Sequence, residues 1–254
     1  MKKILDKPIQ HMPAEEHSCV IEPRRGRHEE SLPSRAILVF SPEDLAYLSA
    51  CFAEPLRHSH DLYLSGVFTG ACEGAQVALA GPMLGAPQAV LVLERMIALG
   101  VSKFIAAGWC GSLRNEVRIG DIVLPSGAIS EEGTSGHYPG VVCAPSFELF
   151  DALKTALTST GRTIREGTVW TTDAPFRETF AKIRAFQSQG VLSVDMETSA
   201  LFSVSRFRGV ELAVVLVVSD DISGMKWVHG FRDPAFHASR KNVMKSILMT
   251  ICRL

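Results

Sequence analysis

The sequence predicts a single α/β domain with a central, mixed and mainly parallel β-sheet that has helices on both of its faces. Two observations lead to this prediction. Short apolar runs that fit buried strands alternate with longer amphipathic runs that fit helices, a pattern typical of sheets covered on both faces. The length of 254 residues, of which 46% are hydrophobic, is sufficient for one domain with a substantial core.

Regular structure is predicted to begin at Arg35. Residues 1–34 contain four prolines and many charges, so they are predicted to form an irregular arm before a domain over residues 35–254. The first helix has the clearest start, because residues 41–44 combine a serine N-cap, a proline at the first helical position and two acids in the first turn. Buried strands are predicted at residues 35–40, 76–80, 101–107, 121–125, 167–171 and 212–218. Helices are predicted at residues 42–48, 87–99, 146–159, 175–187, 196–207 and 235–252.

Composition narrows the classes of function. Twenty-six basic residues against 27 acidic ones argue against a protein dedicated to nucleic acid or to a membrane surface. The longest apolar run, residues 212–218, is too short to span a bilayer, and no export signal follows the N-terminal methionine. The six cysteines form no C-x-x-C pair and are expected to be reduced thiols, which indicates a cytoplasmic location.

Two acidic segments are the strongest functional signal. The first, residues 193–202, holds Asp195, Met196 and Glu197 before small and apolar residues, and the second, residues 217–221, ends a strongly apolar run with Ser-Asp-Asp. Together with the following segments they resemble the nucleoside phosphorylase family over residues 35–252. The supporting segments are the glycine turn before Pro87 and residues 99–111, 119–123, 131–138 and 171–176.

The resemblance implies cleavage of the N-glycosidic bond of a small-molecule nucleoside. It implies that Met196 packs against the sugar, that Glu197 accepts hydrogen bonds from ribose hydroxyls, and that Asp220 protonates or hydrogen-bonds the leaving base. Asp221 takes that role if the alignment is one residue out. Phe176 is expected to stack on the base or sugar. The remaining candidate substrate-binding residues are Gly108, Trp109, His137, Arg177 and Ser219. Arg177 could bind a carbonyl of the base, and Glu178 could orient Arg177.

The residues alone leave simpler interpretations open. Glu197 also fits an acidic residue in the first turn of a helix, and Asp220 fits a helix N-cap after a buried strand. Within the family, residues 131–135 and 171–175 are most similar to the uridine phosphorylase branch. The Ser219-Asp220 pair is more similar to the purine-specific and nucleosidase branches.

The sequence departs from the family at the phosphate site. Residues 40–45 lack the glycine and the arginine that hold phosphate in the family, and they carry two carboxylates. Ala106 and Trp109 stand where an arginine and a serine or threonine are usual. Three functions therefore stay open: phosphorolysis with phosphate as co-substrate, hydrolysis by water, and nucleoside binding without catalysis.

The resemblance also implies a homo-oligomer, a hexamer or a dimer-based assembly, because family pockets are completed by a neighbouring chain. Residues 56–68 could supply the contact surface. No cofactor is expected. No metal site is expected either, since His58 and His60 form an incomplete ligand set.

Overall fold

The computed structural model describes residues 19–254. Residues 19–34 of the predicted arm hold no helix or strand, and the first strand begins at Arg35, as predicted. Residues 1–18 lie outside the described part, so the extent of the arm stays a prediction. No described helix combines the length and the apolar character that crossing a membrane would require.

Within the described residues, the chain forms ten strands and six α-helices. The strands are β1 Arg35–Val39, β2 Arg57–Leu62, β3 Ser65–Cys72, β4 Ala75–Gly81, β5 Lys103–Ser112, β6 Ile122–Ser130, β7 Ile164–Thr171, β8 Ser193–Asp195, β9 Glu211–Asp221 and β10 Val228–His229. The helices are α1 Pro42–Ser49, α2 Gly85–Ala98, α3 Phe147–Thr158, α4 Phe180–Ser188, α5 Thr198–Arg208 and α6 Pro234–Arg253.

The strands form one mixed sheet in the order β10-β9-β6-β7-β8-β5-β1-β4-β3-β2. Because β9 also pairs with β5, the strands β9, β6, β7, β8 and β5 close into a ring. The pairs β1–β4, β1–β5, β5–β9, β6–β7 and β7–β8 are parallel. The hairpins at both ends of the sheet are antiparallel, as are the pairs β5–β8 and β6–β9.

Helices cover both faces of the sheet, which confirms the predicted fold class. Alternation along β1 shows the division: Ala36 and Leu38 join a core with α2 and α5, whereas Ile37 and Val39 join a core with α1, α3 and α6. Successive side chains of a strand point to opposite faces, so each buried strand supplies both cores.

All six predicted strands are present, and β5 extends through the glycine segment 108–111 that the sequence suggested as a loop. The hairpin of β2 and β3 was not predicted, because β2 is polar and largely exposed at the sheet edge. Helix α4 begins later than predicted, since residues 175–177 form a 3₁₀ turn and Thr179 then caps the helix through a hydrogen bond from the Lys182 amide.

Candidate active site

A cavity of about 890 Å³ opens at the carboxyl ends of β1, β5 and β9. This is the edge at which α/β sheets bind ligands. Its walls are contributed by segments that are distant in sequence: the turn after β1, the end of β5, the β8–α5 junction and the loop after β9. The sequence-predicted residues Trp109, Phe176, Met196, Glu197, Ser219 and Asp220 all line it.

Glu197 lies at the junction of β8 and α5 and is 7% exposed. Its Oε1 accepts a hydrogen bond from the Gly85 amide at 2.7 Å, which fixes the carboxyl against the start of α2. Burial and the neighbouring Asp195 raise the pKa of Glu197 to about 8. The carboxyl also lines the cavity, where a ligand hydroxyl can reach it. Met196, adjacent in sequence, lines the same wall.

Asp195 holds this junction in place. One of its carboxylate oxygens accepts from the Thr171 hydroxyl at 2.7 Å, and the other accepts from the backbone amide of Thr198 at 2.8 Å. The second oxygen also accepts a hydrogen bond from the Glu197 amide. Asp195 therefore fixes the start of α5 and orients Glu197. Burial raises the pKa of Asp195. These contacts give Asp195 a structural role in the cavity wall.

Asp220 stands at the end of β9 and reaches the cavity. Its Oδ1 accepts a hydrogen bond from the Ser219 hydroxyl at 2.6 Å, and its Oδ2 accepts one from the Trp227 indole N–H at 3.0 Å. A side chain on Gly111 would place its Cβ 3.2 Å from Oδ2, so the glycine leaves room for the carboxylate. Asp221 instead accepts the Ser223 amide at 2.7 Å within the following turn, and it does not line the cavity.

Aromatic side chains form the outer wall beside Asp220. Phe176 is 99% exposed, and Phe180, Trp227 and Phe231 are also solvent-accessible while lining the cavity. Such an open apolar rim is suited to a flat ring or to a neighbouring protein surface. Trp227 and Phe231 were not predicted, because they lie in an irregular loop whose path the sequence pattern does not define.

Glu178 lines the cavity, whereas the sequence suggested only that it could orient Arg177. Burial, and secondarily the charge of Asp220, raises the pKa of Glu178 to about 7. The signal in the sequence that pointed to this region was the preceding segment, residues 171–176, which resembles the nucleoside phosphorylases. The sequence could not show which of the side chains in this turn points inward.

The side of the cavity near α1 contains a buried ion pair. Asp44, which is 2% exposed, accepts from the Trp109 indole N–H at 2.7 Å and from Arg240 Nη2 at 2.8 Å. The Arg240 guanidinium lies 4.5 Å from the centroid of the Trp109 ring. Asp44 is therefore neutralised within the protein, by an arginine on α6 that is almost 200 residues distant in sequence.

The charge of the cavity lining is strongly acidic. Among the described residues, five carboxyl side chains line it and Lys226 is the only lysine, arginine or histidine that does so. The carboxyl groups are those of Glu43, Glu178, Asp195, Glu197 and Asp220.

Three predicted residues lie outside the lining. Gly108 is buried in β5, where a Cβ would come within 2.7 Å of the Phe40 ring, so its role is to admit that ring. Arg177 and His137 are exposed, each in a 3₁₀ turn, and the structure does not bring them to the cavity wall. In residues 19–254, no group of three or more His, Cys, Asp or Glu side chains is placed to hold a metal ion.

Comparison with known proteins agrees with this geometry. The phosphorylase superfamily profile matches residues 34–253. The DeoD-type purine nucleoside phosphorylase of Bacillus cytotoxicus is 31% identical over 210 residues, which cover 81% of this chain and 87% of that protein. The corresponding protein of Bacillus thuringiensis (strain Al Hakam) is 30% identical over 210 residues, with the same coverage of 81% and 87%.

Two solved structures share the fold. Uridine phosphorylase from Vibrio fischeri ES114 superposes with a TM-score of 0.79 at 21% identity, covering 91% of this chain and 98% of that one. Purine nucleoside phosphorylase from Toxoplasma gondii, solved with immucillin-H, gives a TM-score of 0.80 at 18% identity, covering 93% and 97%. With the profile and the bacterial relatives, these findings show that the chain belongs to the nucleoside phosphorylases of the phosphorylase superfamily.

Proposed function

We propose that this chain is an enzyme that cleaves the N-glycosidic bond of a nucleoside, with phosphorolysis as the reaction for which its relatives are named. One observation supports this most directly. A single cavity brings together Met196 and Glu197, which suit a ribose, and Asp220, which suits the base. These residues come from β9 and from the β8–α5 junction.

The proposed chemistry follows from the charges that develop as the bond breaks. The ribose ring becomes positive and the departing base becomes negative. Glu197 would fix the sugar by accepting a hydrogen bond from a ribose hydroxyl. Asp220 would hydrogen-bond the base and pass it a proton, an effect typically worth about 10²–10⁴-fold in rate. No organic cofactor or metal enters this scheme.

A second candidate reaction, hydrolysis, is favoured by the ion pair of Asp44 and Arg240. Phosphate carries two charges and needs fixed donors to bind out of water. Arg240 and the Trp109 N–H are already engaged with Asp44, and Lys226 is the lone cation among the described lining residues. Water needs no such donors, and a ring with oxocarbenium character needs little nucleophilic assistance.

The deciding experiment measures release of free base from a panel of purine and pyrimidine nucleosides, with phosphate present and rigorously removed. Phosphorolysis yields ribose 1-phosphate in equal amount to the base and stops without phosphate. Hydrolysis yields free ribose at a rate independent of phosphate. Nucleoside binding with no release of base by the parent protein would instead identify a non-catalytic binding protein. The Glu197→Ala variant serves as the control, because it should lose binding and rate together.

We also propose that the protein is a cytoplasmic homo-oligomer. Leu84, Phe176 and Trp227 expose much of their apolar surface around the cavity mouth, where a second copy would bury it. All six cysteines are free thiols, in keeping with a reducing compartment. Light scattering at micromolar concentration tests the assembly, and a monomeric mass would contradict it.

A further inference from the structure

Glu178 is a cavity-lining carboxyl that the proposed reaction does not yet use. Its side chain makes no hydrogen bond and no ion pair with any other part of residues 19–254. Asp220 differs in this respect, since each of its two oxygens already accepts a hydrogen bond from the protein. Glu178 is therefore the carboxyl beside Asp220 with unused hydrogen-bonding capacity.

The position of Glu178 is fixed by its backbone. Its amide donates to the Pro175 carbonyl at 3.3 Å, which closes the 3₁₀ turn, and the next residue, Thr179, caps α4. The backbone that carries the carboxyl is thus held between Phe176 and Phe180, two exposed residues of the cavity wall. A ligand that meets it does not have to order a flexible loop first.

The surroundings of Glu178 favour its protonated form. Burial and the charge of Asp220 on β9 raise its pKa to about 7, while Lys182 on α4 acts in the opposite direction. Lys182 is itself paired with Glu131 at 2.6 Å. Lys226, in the loop after β9, is a further charged residue that lines the cavity. A large share of the molecules therefore carries a neutral Glu178 at pH 7.

We propose that Glu178 recognises the base of the substrate through two hydrogen bonds. Its carboxyl O–H donates to an acceptor on the base, and its carbonyl oxygen accepts from a neighbouring donor on the base. This proposal rests on the proposed function. A neutral carboxyl offers one donor and one acceptor side by side, whereas a carboxylate offers acceptors only. The substrate class is a nucleoside whose base presents an N–H beside a carbonyl, as a 6-oxopurine or a uracil does.

The test measures equilibrium binding of two free bases, hypoxanthine and unsubstituted purine, by calorimetry between pH 5.5 and 8. Hypoxanthine presents an N–H beside a carbonyl, and unsubstituted purine lacks that edge. The parent protein should bind hypoxanthine about tenfold more weakly at the upper end of this range, because one substrate hydrogen bond is lost as Glu178 ionises. Binding of unsubstituted purine should not change in this way.

Three variants make the test specific. Glu178→Gln keeps a donor and an acceptor but does not titrate, so hypoxanthine should bind with the parent's low-pH affinity throughout. Glu178→Ala should bind hypoxanthine about tenfold more weakly at every pH. The exposed Glu54→Gln is the control and should match the parent. The proposal is overturned if Glu178→Ala binds hypoxanthine as the parent does, or if Glu178→Gln keeps the parent's pH dependence.

Base release from inosine is followed in parallel, and it separates the two proposals. If hypoxanthine binding shows the expected pattern and no nucleoside is cleaved, the proposed function fails and the role of Glu178 stands. If nucleosides are cleaved while the Glu178 variants bind hypoxanthine as the parent does, the proposed function stands and the role of Glu178 fails. Uracil is tested in the same way at pH 6, and absence of binding of both hypoxanthine and uracil also overturns the role of Glu178.

Discussion

The indole N–H of Trp109 donates to Asp44 at 2.7 Å, which ties the end of β5 to the first turn of α1. Arg240 completes the contact from α6, so three elements meet at one carboxylate. Asp44 would repel an anion if it faced the cavity alone. In the folded protein it is instead a structural anchor of the cavity wall.

Removal of Arg240 should strongly destabilise the protein, because Asp44 would be left charged and buried. The Arg240→Ala variant is expected to lose about 3–5 kcal/mol of unfolding free energy. The double variant Asp44→Leu, Arg240→Met should lose less than this single change, since no unpaired charge stays behind. Urea titration followed by circular dichroism measures both. A loss of under about 1 kcal/mol in Arg240→Ala would show that the pair contributes little.

Asp220→Asn should lower the rate of base release by roughly 10²-fold or more, because the amide keeps the size and some of the hydrogen bonding but cannot donate a carboxyl proton. Affinity should fall less than rate. Asp221→Asn should be close to the parent, since Asp221 serves the turn after β9. Steady-state kinetics on both variants checks the assignment, and the reverse pattern would transfer the role to Asp221.

Glu197 should make stability depend on pH. Its pKa is about 8 in the folded protein against an ordinary value of 4.5, so the folded state holds a proton that the unfolded chain has released. The contribution of Glu197 to the free energy of unfolding is fully present below pH 4.5 and is lost progressively as the pH rises to about 8. Glu197→Gln should therefore gain stability relative to the parent at pH 8.5 and not at pH 4.5. The urea midpoints of the parent and of Glu197→Gln are measured at pH 4.5 and at pH 8.5. An equal difference between the two proteins at both pH values would contradict the raised pKa of Glu197.

Gly111→Ala should impair catalysis more than stability. The new methyl group would lie 3.2 Å from Asp220 Oδ2 and 3.3 Å from Val194 Cγ1, so the carboxylate has to shift. A displacement of this kind is expected to reduce kcat/KM by roughly tenfold to a hundredfold. Kinetics and thermal unfolding are measured on the same preparation. Unchanged kinetics would show that the carboxylate tolerates the shift.

The fold could be predicted from the sequence because its buried strands are short apolar runs bounded by glycine, proline or charge. The run before Asp220 is the clearest example, and it becomes β9. Strand β2 could not be predicted in the same way, because its polar residues pair at a sheet edge and bury little surface. Its pairing with β3 depends on register, which is not a local property.

The roles of Glu197 and Asp220 were inferred from the resemblance of residues 193–202 and 217–221 to the nucleoside phosphorylases, and both side chains line the cavity. The contact between Asp44 and Arg240 could not be predicted, since the two are almost 200 residues apart and no periodicity links them. Arg177 and Glu178 are neighbours, and only backbone geometry decides which of them lines the cavity. The 3₁₀ turn leaves Arg177 exposed and places Glu178 in the cavity wall.

The closed ring of strands also determines when the cavity can exist during synthesis. Strand β9 pairs with both β5 and β6 and is the last member of the ring to be made. A nascent chain that ends before Glu211 exposes unpaired edges on strands that were made about 80 to 100 residues earlier. The segment that carries Glu197 is therefore synthesised before the strand that carries Asp220, and the cavity stays incomplete until residues 211–231 have been made.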